Sequence, residues 1–258
     1  MSLMSRRRFV ATLGQGAALA ALGACSTTTS VQPTAWAPSD NALPSPLAIN
    51  AVLDQALVGT PDYAAIYAPV FTEPYPIPAI DYTRFDPKFL RQRVRYYTDM
   101  PPGSIVVDPS AHLLYFIEPD GWAVRYGVGT GKAGFTWSGD AYIKFKREWP
   151  DWYPAPEYIA RHPELPAKLQ ELQSGRGIAG GPRNPIGSRG LYLWQDNVDT
   201  LYRIHGTVEP YVIGTSVSSG CIRMMNQDAM DLFKRVEVDA KVRVLGPGDG
   251  EQAVATAL

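Results

Sequence analysis

A chain of 258 residues with 24 Lys and Arg, 25 Asp and Glu and 3 His carries a formal charge of −1. It is long enough to bury one well-packed domain plus a tail, and nothing in it demands two. With no cationic excess to neutralise phosphates, nucleic acid is excluded as a partner.

Ser5-Arg6-Arg7-Arg8-Phe9-Val10 is a positive n-region, followed by a weakly apolar stretch, Ala11 to Ala24, interrupted by Gly14, Gln15 and Gly16. That stretch is shorter than the roughly 20 residues of a membrane span and has the flanks of an export signal. The paired arginines resemble a twin-arginine signal. Leu22-Gly23-Ala24-Cys25 resembles the box at which bacterial lipoproteins are cut ahead of a cysteine that becomes lipidated. Residues 1–24 are therefore expected to be removed, and the protein to be exported to the periplasm or cell envelope. A lipid anchor at Cys25 would hold it on a membrane surface, with Ser26 favouring the outer membrane over the inner. The segment removed holds three arginines and no acid, so its loss takes the charge from −1 to −4.

Residues 25–48 have linker composition: Thr27-Thr28-Thr29-Ser30 and four prolines between Pro33 and Pro46 leave little to bury. Residues 49–103 read as an N-terminal extension. Ile49 to Leu57 suits a short helix, and the four prolines from Pro69 to Pro78 require an extended run. Phe89, Leu90, Val94 and Tyr97 are spaced as on a helix over Phe85 to Tyr97, with Asp86 as cap and Pro87 at the first position.

From Ser104 the pattern turns to β. Runs at 104–108, 112–117 and 123–128 are joined by Pro109-Ser110-Ala111 and Glu118-Pro119-Asp120-Gly121, which predicts an antiparallel meander. Further strands are expected at Ala141 to Phe145, Leu191 to Trp194, Tyr202 to His205 and Lys241 to Leu245. Residues 150–190 are rich in Pro and Gly, with short helices expected at Glu157 to Arg161 and Ala167 to Gln173. An insertion of that size in a β domain reads as a binding loop or lid. Asn226 is placed to cap a helix from Gln227 to Val236. The expected architecture is mostly β, a mixed sandwich or barrel with a few short helices, over residues 104–246. Residues 247–258 form a tail.

Two motifs fail. Gly127-Val128-Gly129-Thr130-Gly131-Lys132 lacks the earlier glycine and the Ser/Thr of a phosphate loop, because Tyr126 and Ala133 stand there. It reads better as a glycine-kinked strand. The three histidines His112, His162 and His205 share no metal-ligand spacing, so no metal and no cofactor is expected.

Cys25 and Cys221 are the only cysteines; with Cys25 acylated, Cys221 has no disulfide partner. It lies in Ser218-Ser219-Gly220-Cys221-Ile222-Arg223, 16 residues after His205 in Ile204-His205-Gly206-Thr207. A thiol needs a base to become a good nucleophile near neutral pH, and imidazole has the pKa for it. If 219–223 runs extended, Ser219, Cys221 and Arg223 share one side and Ile222 enters the core. The amides of Gly220 and Cys221 are then candidate oxyanion donors. The Gly206 carbonyl is a candidate partner for Nδ1 of His205, turning Nε2 to the sulfur. This pattern reads as a cysteine acyl-transfer site.

His205-Gly206-Thr207 with Ser218-x-Gly-Cys221-Ile-Arg223 resembles the L,D-transpeptidase family, the YkuD-like catalytic domain of bacterial cell-wall enzymes. Gly181-Pro182-Arg183-Asn184-Pro185-Ile186-Gly187 and Leu191-Tyr192-Leu193 add to the likeness, which covers about residues 104 to 246. Ser219 stands where many members carry a second histidine. The resemblance implies Cys221 as nucleophile, His205 as base, Ser218, Ser219, Gly220 and Gly206 as its support, and Arg223 and Tyr192 as substrate-binding residues. It implies peptidoglycan stem peptides as substrate and 3→3 cross-links as product. Water or an envelope lipoprotein's lysine would be alternative acceptors. A sortase-like enzyme fits the Cys221-x-Arg223 spacing poorly. An inactive peptidoglycan-binding lipoprotein is the alternative from another class.

Overall fold

The computed structural model describes residues 59–132, 137–218, 220–247 and 249, with the backbone alone at residue 157. The expectations for residues 1–58, including Cys25 and the Ile49 to Leu57 helix, and those for Ser219 and most of the tail lie outside the described residues.

In chain order the main elements are α1 (Tyr63–Ile66), β1 (Gln92–Arg95), β2 (Ile105–Asp108), β3 (Leu113–Ile117), β4 (Trp122–Gly127), β5 (Thr130–Gly131) and β6 (Gly139–Glu148). Then come α2 (Pro156–Arg161), β7 (Gln170–Leu172), β8 (Gly175–Gly177), β9 (Arg189–Gln195), β10 (Val198–His205), β11 (Ser216–Ser218), β12 (Ile222–Arg223), α3 (Asn226–Arg235) and β13 (Lys241–Val244). One nine-stranded mixed sheet runs in the order β1-β4-β3-β2-β13-β6-β9-β10-β12, beside the two-stranded pairs β11-β5 and β7-β8. The predicted meander is β2-β3-β4, antiparallel throughout. The closing strand β13 inserts at the sheet's middle, parallel to β2 and antiparallel to β6.

Alternation explains the strands. Leu191 and Leu193 of β9, Ala141 and Ile143 of β6 and Val242 and Val244 of β13 are buried in one apolar cluster, while their neighbours in sequence face outward. Helix α3 covers that cluster with Ala229 and Leu232. Its other side is polar and buried, and it is met by the chain that precedes the sheet. Gln227 donates to the carbonyls of Ala68 (3.2 Å) and Pro78 (2.9 Å), and the Tyr67 hydroxyl donates to Asp228 Oδ2 (3.1 Å). Residues 59–103 are thereby part of the packed body, with Tyr67, Ile77 and Leu90 buried and β1 forming the sheet's edge.

Three local expectations are corrected. Asp86 does accept from the Lys88 amide (2.9 Å) ahead of Pro87, but the helix is a single 3-10 turn, Pro87–Phe89. The chain then extends as β1 because β4 offers it a free edge. Arg93 and Arg95 also lie over the Trp122 ring, at 4.4 and 3.9 Å, and this pairing outweighs the helix-like apolar spacing. The helix expected at Ala167 to Gln173 is a 3-10 turn, Pro166–Lys168, leading into the β7-β8 hairpin. Gly175, at φ 115, allows the reversal that a continued helix would forbid. Asn226 is not the cap of α3; Met225 holds that position and Asn226 is the first helical residue, with its side chain engaged elsewhere.

The 150–190 insertion is tied down at its base. Asn184 is fully buried and donates to the carbonyls of Pro150, Ile178 and Ala179 at 2.8–3.1 Å. Its Oδ1 accepts from the Ile186 amide at 2.9 Å.

Candidate active site

The site is built on the parallel pair β10-β12, in which Ile204 lies beside Ile222 and His205 beside Arg223. Both isoleucines enter the core, so His205 and Arg223 share the outer face. Cys221 is the residue that enters β12, beside the stretch of β10 that leads to His205: its sulfur lies 3.9 Å from the Leu201 carbonyl, and the Arg203 backbone N–H is directed to it.

The imidazole is held in one tautomer. Its Nδ1 lies 2.5 Å from the Gly206 carbonyl, which only accepts, so Nδ1 carries the proton and Nε2 is left with its lone pair. Burial drives the His205 pKa down to about 4, and the charges of Arg223 and Arg203 act in the same direction. His205 is thus a neutral acceptor at physiological pH. Cys221 is half-buried, and burial raises its thiol above the ordinary range. The backbone N–H of Arg203 and the guanidinium charges of Arg203 and Arg223 oppose that rise.

The turn carrying Cys221 is braced by Ser218. Its hydroxyl donates to the Cys221 carbonyl (2.6 Å) and accepts from the Gly220 amide (3.1 Å). That occupies the Gly220 N–H and leaves the Cys221 N–H as the freer of the two oxyanion candidates. Gly220 adopts φ 131, which a side chain rarely tolerates. Arg223 reaches Glu209 at 3.3 Å, and both its backbone groups pair with Gly129. Tyr192 sits on the outer face of β9 opposite Arg203, whose guanidinium lies 4.3 Å from its ring centre. Of the predicted residues, His205, Arg223 and Tyr192 lie on the sheet, Gly206 follows His205, and Ser218 and Gly220 form the turn that carries Cys221. His112 instead contacts Thr130 Oγ1 (3.1 Å) and His162 contacts Glu164 (3.4 Å). Among the described residues no three His, Cys, Asp or Glu side chains group to hold a metal ion, and no helix is long and apolar enough to cross a membrane.

Sequence reasoning passed over Asn226, Arg203 and Asp199. Asn226 staples two segments that meet at His205: Oδ1 accepts from the Ser188 amide and Nδ2 donates to the Thr207 carbonyl, both at 2.9 Å. A Cβ on Gly187 or Gly206 would strike that same Oδ1, so both glycines are required for the approach. Asn226→Ala is expected to cost about 2 kcal/mol in urea denaturation, because it orphans two backbone groups at once. An unchanged midpoint would show that water replaces the amide. A signal for Asp199 and Arg203 did exist, an acid and a base four residues apart. Four residues is not a cross-strand spacing, and only a bulge brings the two together.

The L,D-transpeptidase catalytic domain family, YkuD, matches residues 102–244 of this chain. A probable L,D-transpeptidase ErfK/SrfK of Escherichia coli K12 is 35% identical over 150 residues, 55% of this chain and 43% of that protein. A probable L,D-transpeptidase YbiS from the same strain is 29% identical over 151 residues, 55% of this chain and 44% of its own. This chain thus spans less than half the length of those relatives. A crystal structure from Brucella melitensis, described as a probable carnitine operon oxidoreductase CaiA, is 47% identical. It covers 64% of this chain and 99% of its own, with a TM-score of 0.42. An L,D-transpeptidase from Mycobacterium smegmatis aligns at 15% identity over 55% of this chain and 58% of its own, with a TM-score of 0.39. A family match across more than half of the sequence, over the strands that carry Cys221 and His205, makes this chain a member of the L,D-transpeptidase catalytic domain family.

Proposed function

We propose that this protein is a peptidoglycan L,D-transpeptidase that forms 3→3 cross-links through a thioester on Cys221. The observation that carries the reading is that the parallel pairing of β10 with β12 brings the turn holding Cys221 beside the strand that ends in His205, whose Nδ1 is committed to the Gly206 carbonyl.

His205 Nε2 takes the thiol proton as Sγ attacks the carbonyl carbon at the L-centre of the third stem residue, typically a diaminopimelate. The oxyanion that forms is met by the Cys221 amide. The C–N bond to the terminal D-Ala then breaks, and its nitrogen takes the proton back from the imidazolium. That transfer is downhill, because burial and two arginines disfavour the charged ring. The side-chain amine of a second stem then attacks the thioester carbonyl and gives a proton to His205, and the thiolate departs to be reprotonated. General acid–base help of this kind supplies about 10²–10⁴-fold. Arg223, held to an exposed Glu209, is available to exchange that partner for a substrate carboxylate. Tyr192 lies beneath Arg203 at the border of the same surface.

The cellular setting belongs to the same proposal. Residues 1–24 direct export, Cys25 carries the lipid, and residues 25–48 tether the catalytic body of residues 104–246, with its 49–103 extension, at a distance from the membrane.

The test is product analysis after incubating disaccharide-tetrapeptide with the full chain in detergent. Dimers lacking one D-Ala are the expected result. Tripeptide alone would replace cross-linking by hydrolysis, with water as acceptor. Addition to a supplied lysine peptide would point to protein anchoring, and unchanged substrate would leave only a binding module.

A further inference from the structure

β10 does not run straight to His205. Asp199 pairs with Trp194 and Arg203 with Tyr192, so Thr200, Leu201 and Tyr202 stand against the single residue Leu193. The bulge forces Leu201 to φ 63, and its side chain is 73% exposed. A leucine in that conformation costs about 1 kcal/mol or more and persists only where its surroundings hold it.

They do hold it. Asp199 Oδ1 accepts from the Leu201 amide (2.9 Å), and Thr200 Oγ1 accepts from the Tyr202 amide (3.2 Å) while donating to the Leu193 carbonyl (2.6 Å). Both oxygens of Asp199 also grip Arg203, at 2.7 and 2.8 Å, and the guanidinium lies flat enough on Tyr192 to sit 4.3 Å from the ring centre. A two-point clamp with an aromatic shelf fixes the position of that charge far better than a free arginine.

What the bulge faces is the sulfur. The Leu201 carbonyl is 3.9 Å from Cys221 Sγ, and the backbone N–H of Arg203 is directed to the same atom. The ionisable groups around Sγ are Asp199, Arg203 and His205 on β10, Tyr192 on β9, and Arg223 with Glu209. A neutral imidazole supplies no charge at the sulfur, so the positive field there comes from Arg203 and Arg223.

We propose that the β10 bulge is a second support for the reacting sulfur, in which Arg203, clamped by Asp199 and Tyr192, is a positioning residue that stabilises the Cys221 thiolate. In the resting thiol the S–H points to the Leu201 carbonyl. When the proton moves to His205 Nε2, the charge left on sulfur is met by the Arg203 N–H and guanidinium. No other bond is made or broken. The proposal rests on Cys221 being the nucleophile.

The test is the pH dependence of iodoacetamide alkylation at Cys221, followed by intact mass on the full chain in a Cys25→Ser background. Arg203→Met is expected to raise the midpoint of thiolate formation by about one unit, slowing alkylation near neutral pH about tenfold. Arg203→Lys should restore it to within about threefold. Because Met also orphans the Asp199 carboxylate, Arg203→Met with Asp199→Asn is measured too, and should retain about a threefold slowing. An unchanged midpoint in both charge-free proteins, with unchanged melting temperature, overturns the proposal and leaves Arg203 a structural ion pair. If Arg203→Met does not fold, Arg203→Gln takes its place, with the same shift expected and the same reversal if none is seen. Failure of the underlying reading is separate: alkylated wild-type protein that still releases D-Ala would show that Cys221 is not the nucleophile.

Discussion

Cys221→Ala is expected to abolish D-Ala release from tetrapeptide stems, by about 10⁴-fold or more, and to leave the melting temperature within a few degrees of wild type. The proposed chemistry needs the sulfur twice, as attacking atom and as leaving group, whereas the fold needs only a small half-buried side chain there. Full release by the alanine variant would refute the nucleophile. The same assay tests the base. With a pKa near 4, His205 is neutral across the physiological range, so kcat/KM should hold from pH 7 down to about 5 and fall only as the ring is protonated near pH 4. Loss of activity already at pH 6.5 would mean that the ring is solvated in solution. The sign for stability follows from the same depression. An unfolded histidine titrates near 6.5 and this one near 4, so the unfolded chain binds the proton first. Stability is then fully present above pH 6.5 and falls by roughly 3 kcal/mol as pH drops through 4. His205→Gln should flatten that slope in urea melts taken between pH 7 and 4.

Glu73→Ala is expected to lower the melting temperature by about 6–12 °C. Arg189 is 4% exposed, and Glu73 meets its guanidinium with two hydrogen bonds, at 2.7 and 2.9 Å. The Trp149 indole N–H donates to the same carboxylate at 3.0 Å. Removing one partner of a buried ion pair leaves an uncompensated charge, which costs about 3–5 kcal/mol, and 1 kcal/mol corresponds to about 2–4 °C at this size. The exposed Glu148, 3.8 Å away, offsets part of the loss and sets the expectation at the lower end. A drop under 2 °C would show that Glu148 swings in as a full replacement. Activity should suffer as well. The Arg189 carbonyl accepts the Gly206 amide at 3.0 Å, and Gly190 pairs with His205, so a loosened Arg189 unsettles the carbonyl that holds Nδ1. Residues 59–103 thereby reach His205 through one ion pair.

Most of the β framework was legible because burial on one face leaves a period of two in the chain. Ala141 and Ile143, Leu191 and Leu193, and Val242 and Val244 can be read as strands without knowing their neighbours. His205 and Cys221 were legible as candidates for a similar reason, since side-chain type and glycine flanks are local properties. The helix expected over Phe85 to Tyr97 was not a poor local reading; it lost to an edge of β4 contributed from 30 residues further on. The second helix in the 150–190 insertion failed likewise, where Gly175 closes a hairpin that no period announces.

By itself the chain determined which residues face the core, where the candidate thiol and imidazole lie, and that both sit beside glycines. Only the tertiary structure decided that Asn226 staples the histidine's platform, that Glu73 neutralises a buried arginine, and that a bulge brings the Leu201 carbonyl and the Arg203 N–H to the sulfur. The physical reason is the range of the interactions. Hydrophobic alternation and turn chemistry act within a few residues, whereas a hydrogen bond or ion pair depends on which strand edges meet, and that is settled by the packing of the whole sheet.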